Sequence, residues 1–574
     1  MGPGHRQLWV GVGVLLTACG GVDSLLIDAP SPKPSEDAGV LPRPQNLTRI
    51  REDFDNLHLV ESTEPGEVVD VNRGIAALPT YTFPVTEGYG VSNYDEHLVV
   101  NDLLEAQVIR VAPGATLEVP DSVELRAALT ITLQGTIRAG AGGVILAAQE
   151  GIYIEPGALI ESDGPVQLLL GSPEGEIRID GDIFTWARAN NKERPNLEVI
   201  GRGRLTVGGQ LLTFAEPGQQ SGDVRLNFYG DVVVTGRAAR IAATAQAGAV
   251  PGVVRIFSEA ALKIAEGSVG TGFNYDSIDG GQGGALELRA NSIELSSGGN
   301  VVSGRTIEAG GDLQITAKER IEVADGCLVQ AGAGARGGNT VLRTRDLVLV
   351  GSARVAGGGG ERQGGGLGVE AASRIFVDGP GTLAAGDAAC GEGGHASFVT
   401  GGLFHATGGA VVRGGDADIS GRCGRSSRGG DVILQAASIV GLETGVRGGA
   451  GQPAGQVIRN ETTVALTNPD LSLGTSGRIL SKVVDRGEAA VGKRPLLVDF
   501  GGETPLGTSI TVRLCGVADL DEPFLDWRDV TEPEGEPLEA FRDARYFRYR
   551  VELHGRAFDT PVLNYFEIDL DPVE

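Results

Sequence analysis

The sequence predicts an all-β protein: a right-handed parallel β-helix, or solenoid, with an N-terminal cap and a C-terminal antiparallel β-sandwich. Three observations lead there. Glycine supplies 90 of the 574 residues, more than twice the average usage of roughly 7%. A unit of two alternating segments bounded by glycine recurs along the middle of the chain. In the last eighty or so residues glycine falls, aromatics rise and the strand-like runs lengthen. Helical periodicity is missing between the repeated segments, so crossover units with a helix are excluded.

Composition narrows the function classes. A hydrophobic fraction of 41% can fill a core, while only 5% of residues are aromatic and the single Met is residue 1. That suits a narrow interior of stacked Val, Ile, Leu and Ala. A strict three-residue glycine period is missing, which excludes a collagen-like chain. Net charge is −27 and the pI is about 4.7. Such a surface repels phosphate backbones and anionic lipid, so nucleic acid is not an expected partner.

Residues 1–19, MGPGHRQLWVGVGVLLTAC, read as a signal peptide. Arg6 gives the positive start, and residues 8–16 form an apolar run too short to span a bilayer. Leu16-Thr17-Ala18-Cys19 resembles the lipobox of bacterial lipoproteins, in which cleavage precedes a diacylglyceryl-modified cysteine. The resemblance implies a lipid attached at Cys19, with the membrane as a partner. Gly20, where inner-membrane retention would use Asp, resembles outer-membrane sorting. Residues 20–45 are rich in Pro, Ser and acid and read as a flexible tether.

Residues 46–107 lack the repeat and are expected to cap the first turn, since a solenoid end exposes unpaired strands and core. The β-helix is expected over 108–493. Its units include GALELRANSIELSSG from Gly284, GDLQITAKERIEVADG from Gly311 and GNTVLRTRDLVLVG from Gly338. Opening glycines at 222, 252, 284, 311, 338, 366 and 394 differ by 27 to 32 residues, a period that signals stacked repeats. Alternation in the unit from Gly311 puts Leu313, Ile315, Ala317, Ile321 and Val323 on one buried face. The glycines are expected to serve corners that need positive φ or close backbone approach. AGAGARGGN (331–339) and GGGGERQGGG (357–366) read as loops at one corner. Residues 494–574, with LLVDF, SITVRLCGVA and RYFRYRVELHG, predict the antiparallel β-sandwich, and its ending, Arg545 to Leu553 followed by Thr560 to Leu563, resembles the terminal strands of jelly-roll modules in secreted bacterial proteins.

GDLQITAKERIEVADGCLVQAG and its sister units resemble the turns of filamentous-haemagglutinin and autotransporter β-helices. The region from TEGYGVSNYDEHLVV to LTITLQGTIRAGAGG resembles Gly-rich surface lipoproteins of Gram-negative bacteria. Together these resemblances imply a scaffold or adhesin at the cell surface, with polysaccharide or another surface component as its ligand and no cofactor. The alternative for this fold is a polysaccharide-degrading lyase or hydrolase.

Candidate chemistry is sparse. Gly393-Gly394-His395-Ala396 matches only part of a pectinase-like Gly-His-Gly motif, and no paired acids or Arg-x-Lys accompany it, so no catalytic residue is assigned. Asp416 and Asp418 share a strand face but form one copy of a pattern that binds calcium only in stacked copies. They read as turn residues, as do Asp276 and Asp279. His395 and His405 sit about one turn apart without zinc-ligand spacing, so no metal is expected. Cys390 and Cys423 each precede an opening glycine, which makes them the candidate disulfide in an oxidising compartment. Cys327 and Cys515 read as free, buried strand residues. Gly357–Gly360 does not make a nucleotide loop, because no helix follows it. Trp527, between Asp526 and Arg528, is a candidate sugar-stacking platform, against the plainer reading of a sandwich-core Trp.

Overall fold

The computed structural model describes residues 91–569 except 189–194, 247–248, 273–282, 419–426, 467–474, 531–539, 556–560 and scattered pieces of one to three residues. Within residues 45–77 it describes strand backbones only. The described protein is all-β, with long sheets of parallel strands of the kind that a β-helix or solenoid builds.

Between Val91 and Glu461 each turn of chain lays one longer stretch into a first parallel sheet and one short strand into a second. The second sheet has fourteen strands, from His97–Val99 to Val446–Arg447. Register sets the period: Leu286 pairs with Leu313, Leu313 with Thr340 and Thr340 with Leu367, so 313 − 286, 340 − 313 and 367 − 340 are each 27 residues. The alternation fills the interior as expected. Leu313, Ile315, Ala317, Ile321 and Val323 are all at most 1% exposed, while Lys318, Glu319 and Arg320 are exposed where the strand turns the corner. Stacked in register, these residues form aliphatic columns along the shaft.

Glycine does two separate jobs. At the turns leading into the second sheet it supplies positive φ. Gly326, at φ +77°, has open space where a Cβ would sit. The other job is closure. Gly311, Gly338, Gly365, Gly394, Gly430 and Gly455 stack in one ladder, and Gly304, Gly332, Gly358, Gly386, Gly415 and Gly449 in a second. Backbone amides zigzag between the two: Gly332 donates to the Gly311 carbonyl (2.9 Å), Gly338 to Gly332 (2.8 Å), Gly358 to Gly338 (2.9 Å) and Gly365 to Gly358 (2.8 Å), continuing to Gly455. A Cβ on Gly332 would lie 1.8 Å from the Gly304 carbonyl oxygen. These glycines are therefore a backbone-to-backbone seam and not the loops expected at 331–339 and 357–366. Between the seam residues, Gly334–Arg336 pairs in parallel with Gly360–Gln363. The ladder member after Gly338 is Gly365, one residue before the expected Gly366.

The shaft ends in charge. In the last turn Arg459 stands opposite buried Leu434, and Glu461 opposite buried Ala436. Both are exposed. Charges at core-facing positions stop the column and discourage further stacking. Beyond them the chain passes back beside earlier turns, because the Val464 carbonyl lies 2.9 Å from the place of a Gly401 Cβ.

Mainly antiparallel sheets follow, with one parallel pair, Gln45–Asn46 beside Val484–Asp485, and both regions flanking the shaft contribute to them. Tyr546–Gly555 pairs with Ser509–Val517 and Thr475–Ser481, and Thr475–Ser481 pairs in turn with Val60–Glu64. Val562–Asp569 pairs with Leu496–Glu503 along one edge, and with Arg49–Glu52 and Ile75–Ala77 along the other. Residues 46–107 thus divide: strands up to Ala77 join the C-terminal sheets, while those from Val91 already belong to the parallel stack. Antiparallel pairing likewise begins at Thr475, ahead of the expected residue 494. Val512, Phe547, Tyr549, Val551 and Phe566 are wholly buried in a core of their own.

Candidate functional site

Three polar arrays stand on this frame. The first follows the seam. At five turns the residue after the glycine that opens the unit accepts the backbone amide of its counterpart one turn on. Asp223 Oδ1 accepts from Val253 N (3.0 Å), Asp312 Oδ1 from Asn339 N (2.7 Å), and Asn339 Oδ1 from Gly366 N (2.8 Å). His395 Nδ1 accepts from Asp431 N (3.0 Å), and Asp431 Oδ1 from Gln456 N (2.8 Å). His395 is thereby a rung of a side-chain ladder. His405 lies apart, its ring edge-on to Phe376 at 5.1 Å. The structure does not bring the two histidines together. Among the described residues no three His, Cys, Asp or Glu side chains gather as a metal site.

The second array is an ion-pair ladder beside the seam. Arg413, with its side chain 14% exposed, donates to Asp387 (2.6 Å) and to Asp416 (3.0 Å). Asp416 also accepts from Arg447 (3.2 Å) and from the Ala450 amide (2.7 Å). Its oxygens hold the turns together, so the reading of Asp416 as a turn residue stands close to what the structure shows. Asp418 lies on the same stretch with a partner of its own. Asp276 and Asp279 fall outside the described residues.

Burial pushes the Asp387 carboxyl up, but the hydrogen bonds from Arg413 and the Asp416 amide, with the Arg413 charge, outweigh it. Its folded pKa therefore sits below the ordinary value of about 3.9. A depressed carboxylate contributes stability above its unfolded pKa and loses it as pH falls through the folded one. The melting temperature of wild type should exceed that of Asp387→Asn at about pH 6, and the gap should narrow as the pH falls below about 4. A gap unchanged across that range would contradict the pairing.

The third array is the outer face of Tyr546–Gly555. Trp527 is half-buried, with the Arg550 guanidinium 4.8 Å from its ring centroid. It lies on the sheet, outside the buried core around Tyr549. Arg528 pairs with Asp526 at 2.8 Å.

Cys390 is disulfide-bonded. Its expected partner Cys423, and Cys19, fall outside the described residues. Cys327 and Cys515 are free and buried as expected. Cys515 lies in Ser509–Val517, whereas Cys327 sits in the turn ahead of Leu328–Gln330. An open pocket of about 450 Å³ lies along the first residues of five second-sheet strands, among them Gln210, Arg240, Ser268 and Asn300. No helix of the described residues is long and apolar enough to cross a membrane.

The side-chain ladder escaped the sequence reading although its signal was present: GDV, GDL, GNT and GDV open four of the units. The arginine-rich face was missed because its members come from separate strands. Compared with known protein families, with curated proteins and with solved structures, the chain matches none.

Proposed function

We propose that this is a lipid-anchored envelope protein with a structural or adhesive role, tethered through Cys19 in the outer membrane. Its shaft is a right-handed parallel β-helix, and its antiparallel sheets are the two layers of a β-sandwich. The observation that carries the reading is the joining of both flanking regions in one module. Strands between Gln45 and Ala77 pair with strands between Thr475 and Asp569.

A tether of residues 20–45 therefore leads into the antiparallel module and not into the first turn of the shaft. A flexible chain of that length has a root-mean-square reach of roughly 28 Å. The module would stand at the membrane as a base, and the shaft would project from it. A shaft closed by a hydrogen-bonded seam and stacked aliphatic columns suits load and spacing. Polysaccharide or another cell-surface component is the partner this placement favours, with the disulfide Cys390–Cys423 stapling two neighbouring turns.

Labelling cells with radioactive palmitate tests the anchor. The chain should carry label in the outer-membrane fraction, and Cys19→Ser should carry none and leave that fraction. Labelled Cys19→Ser, or unlabelled wild type, would overturn the reading.

A further inference from the structure

The second sheet carries a row of outward side chains that neither the core nor the seam uses. Gln210, Arg240, Ser268, Asn300 and Leu328 open successive strands and pair in register, one to a turn. Each is half-buried, while its inward neighbour (Leu211, Ile241, Val269, Val301 or Val329) is wholly buried. The row lines the open groove of about 450 Å³, together with Val302 and with Arg237 and Ala238 of the turn ahead of Arg240. That volume is in the ordinary range of a small-molecule site, roughly 300–1,000 Å³. Stacked turns lie about 4.8 Å apart, so the five residues span about 19 Å along the shaft.

Pitch and charge set the ligand class. A polypeptide rises about 3.3 Å per residue, so it cannot present a like group to each successive turn. An extended β-linked sugar chain advances by close to one turn's spacing per residue. Its hydroxyls need neighbours that both donate and accept hydrogen bonds, as Gln210, Ser268 and Asn300 do. Charge along this edge balances. Arg237 and Arg240 lie between Asp182, which precedes Gln210 in the row, and Glu266, bridged to Thr235. Arg240 also has a partner of its own. At the far end Asp325 stands in the turn before Leu328, and Arg354 continues the row. Nothing here offsets the repulsion that a body of net −27 exerts on an acidic polymer.

We propose that this groove binds a neutral, extended β-linked glycan laid along the shaft, one sugar facing each turn. Gln210, Ser268 and Asn300 hold its hydroxyls, and Val302 and Leu328 give its C–H edges an apolar contact. Because the strands fix the row, the site is formed before the ligand arrives and little ordering is needed on binding. The proposal deepens the envelope reading by naming a ligand class, and rests on it only for where such a glycan is met.

The test is calorimetric titration of the full chain carrying Cys19→Ser with cellobiose, cellopentaose, cellohexaose and hexagalacturonate. Affinity should climb from cellobiose to cellopentaose and gain little more at cellohexaose, because the row then ends. Asn300→Ala should weaken cellopentaose binding by about tenfold. Ser268→Tyr, which sets a ring in the middle of the row, should abolish it. Both side chains point outward, so both variants should melt at the wild-type temperature, which separates a lost site from a lost fold. Hexagalacturonate should bind more weakly than cellohexaose. No binding of cellopentaose, equal affinity for cellobiose and cellopentaose, tighter binding of hexagalacturonate, or wild-type affinity in Asn300→Ala and Ser268→Tyr would each overturn the proposal. Palmitate labelling is independent of all these outcomes, so failure here leaves the anchor standing, and failure there leaves the glycan groove standing.

Discussion

Gly338→Ala is expected to destabilise the shaft by about 3 kcal/mol or more, whereas Gly326→Ala, twelve residues away, should cost about 1 kcal/mol. The two glycines do unlike work. Gly326 is a turn residue at φ +77° with open space around its α-carbon. An alanine there meets only the backbone penalty of the left-handed region. Gly338 sits in the seam, and a Cβ would lie 2.0 Å from the Gly311 carbonyl oxygen. The atom in the way is backbone, so no side chain can swing aside.

Relief at Gly338 would need the two ladders to part. That would break the bond it donates to Gly332 and the one its carbonyl accepts from Gly358. Each such bond contributes about 1 kcal/mol net, and more when its partners stay buried and unpaired. A solenoid turn contacts only its neighbours, so the damage should be local. Amide exchange in Gly338→Ala should accelerate most in the turns around residues 311–366, while the turns near Leu125 and Ile152 keep their protection. Equal melting temperatures for the two variants would show that the seam does not carry the closure of the shaft.

How far this was legible follows from which signals are local. Alternation in GDLQITAKERIEV names the buried face residue by residue, because a strand's two sides are written two positions apart. The period is legible for the same reason: each turn repeats it. What glycine does in each place is not. Gly326 and Gly338 look alike in sequence, yet one needs a dihedral and the other needs proximity to a chain 27 residues away. The role of His395 depended on seeing Asp223, Asp312, Asn339 and Asp431 as one column. Arg513, Arg550 and Trp527 come from three segments that only antiparallel register unites. Least legible was the pairing of residues 45–77 with the C-terminal sheets, since 485 positions separate Ala77 from Val562 along the chain.

A chain lacking residues 45–77 should lose its antiparallel module while keeping its shaft. Val562–Asp569 would keep Leu496–Glu503 on one edge and lose both Arg49–Glu52 and Ile75–Ala77 from the other. Thr475–Ser481 would lose Val60–Glu64 at the same time. Two long strand edges would then be bare, one of them carrying Leu563, Phe566 and Ile568, which are wholly buried in the intact protein. Bare apolar edges of that length recruit other chains. The shortened protein should therefore aggregate or be trimmed by protease back toward residue 461, with a stable fragment spanning the parallel stack. The opposite outcome, a monomer whose residues 475–569 resist protease as wild type does, would show that the C-terminal strands fold without the N-terminal ones. The tether would then have no structural reason to lead to this module, and the placement of the module as a base would fall with it.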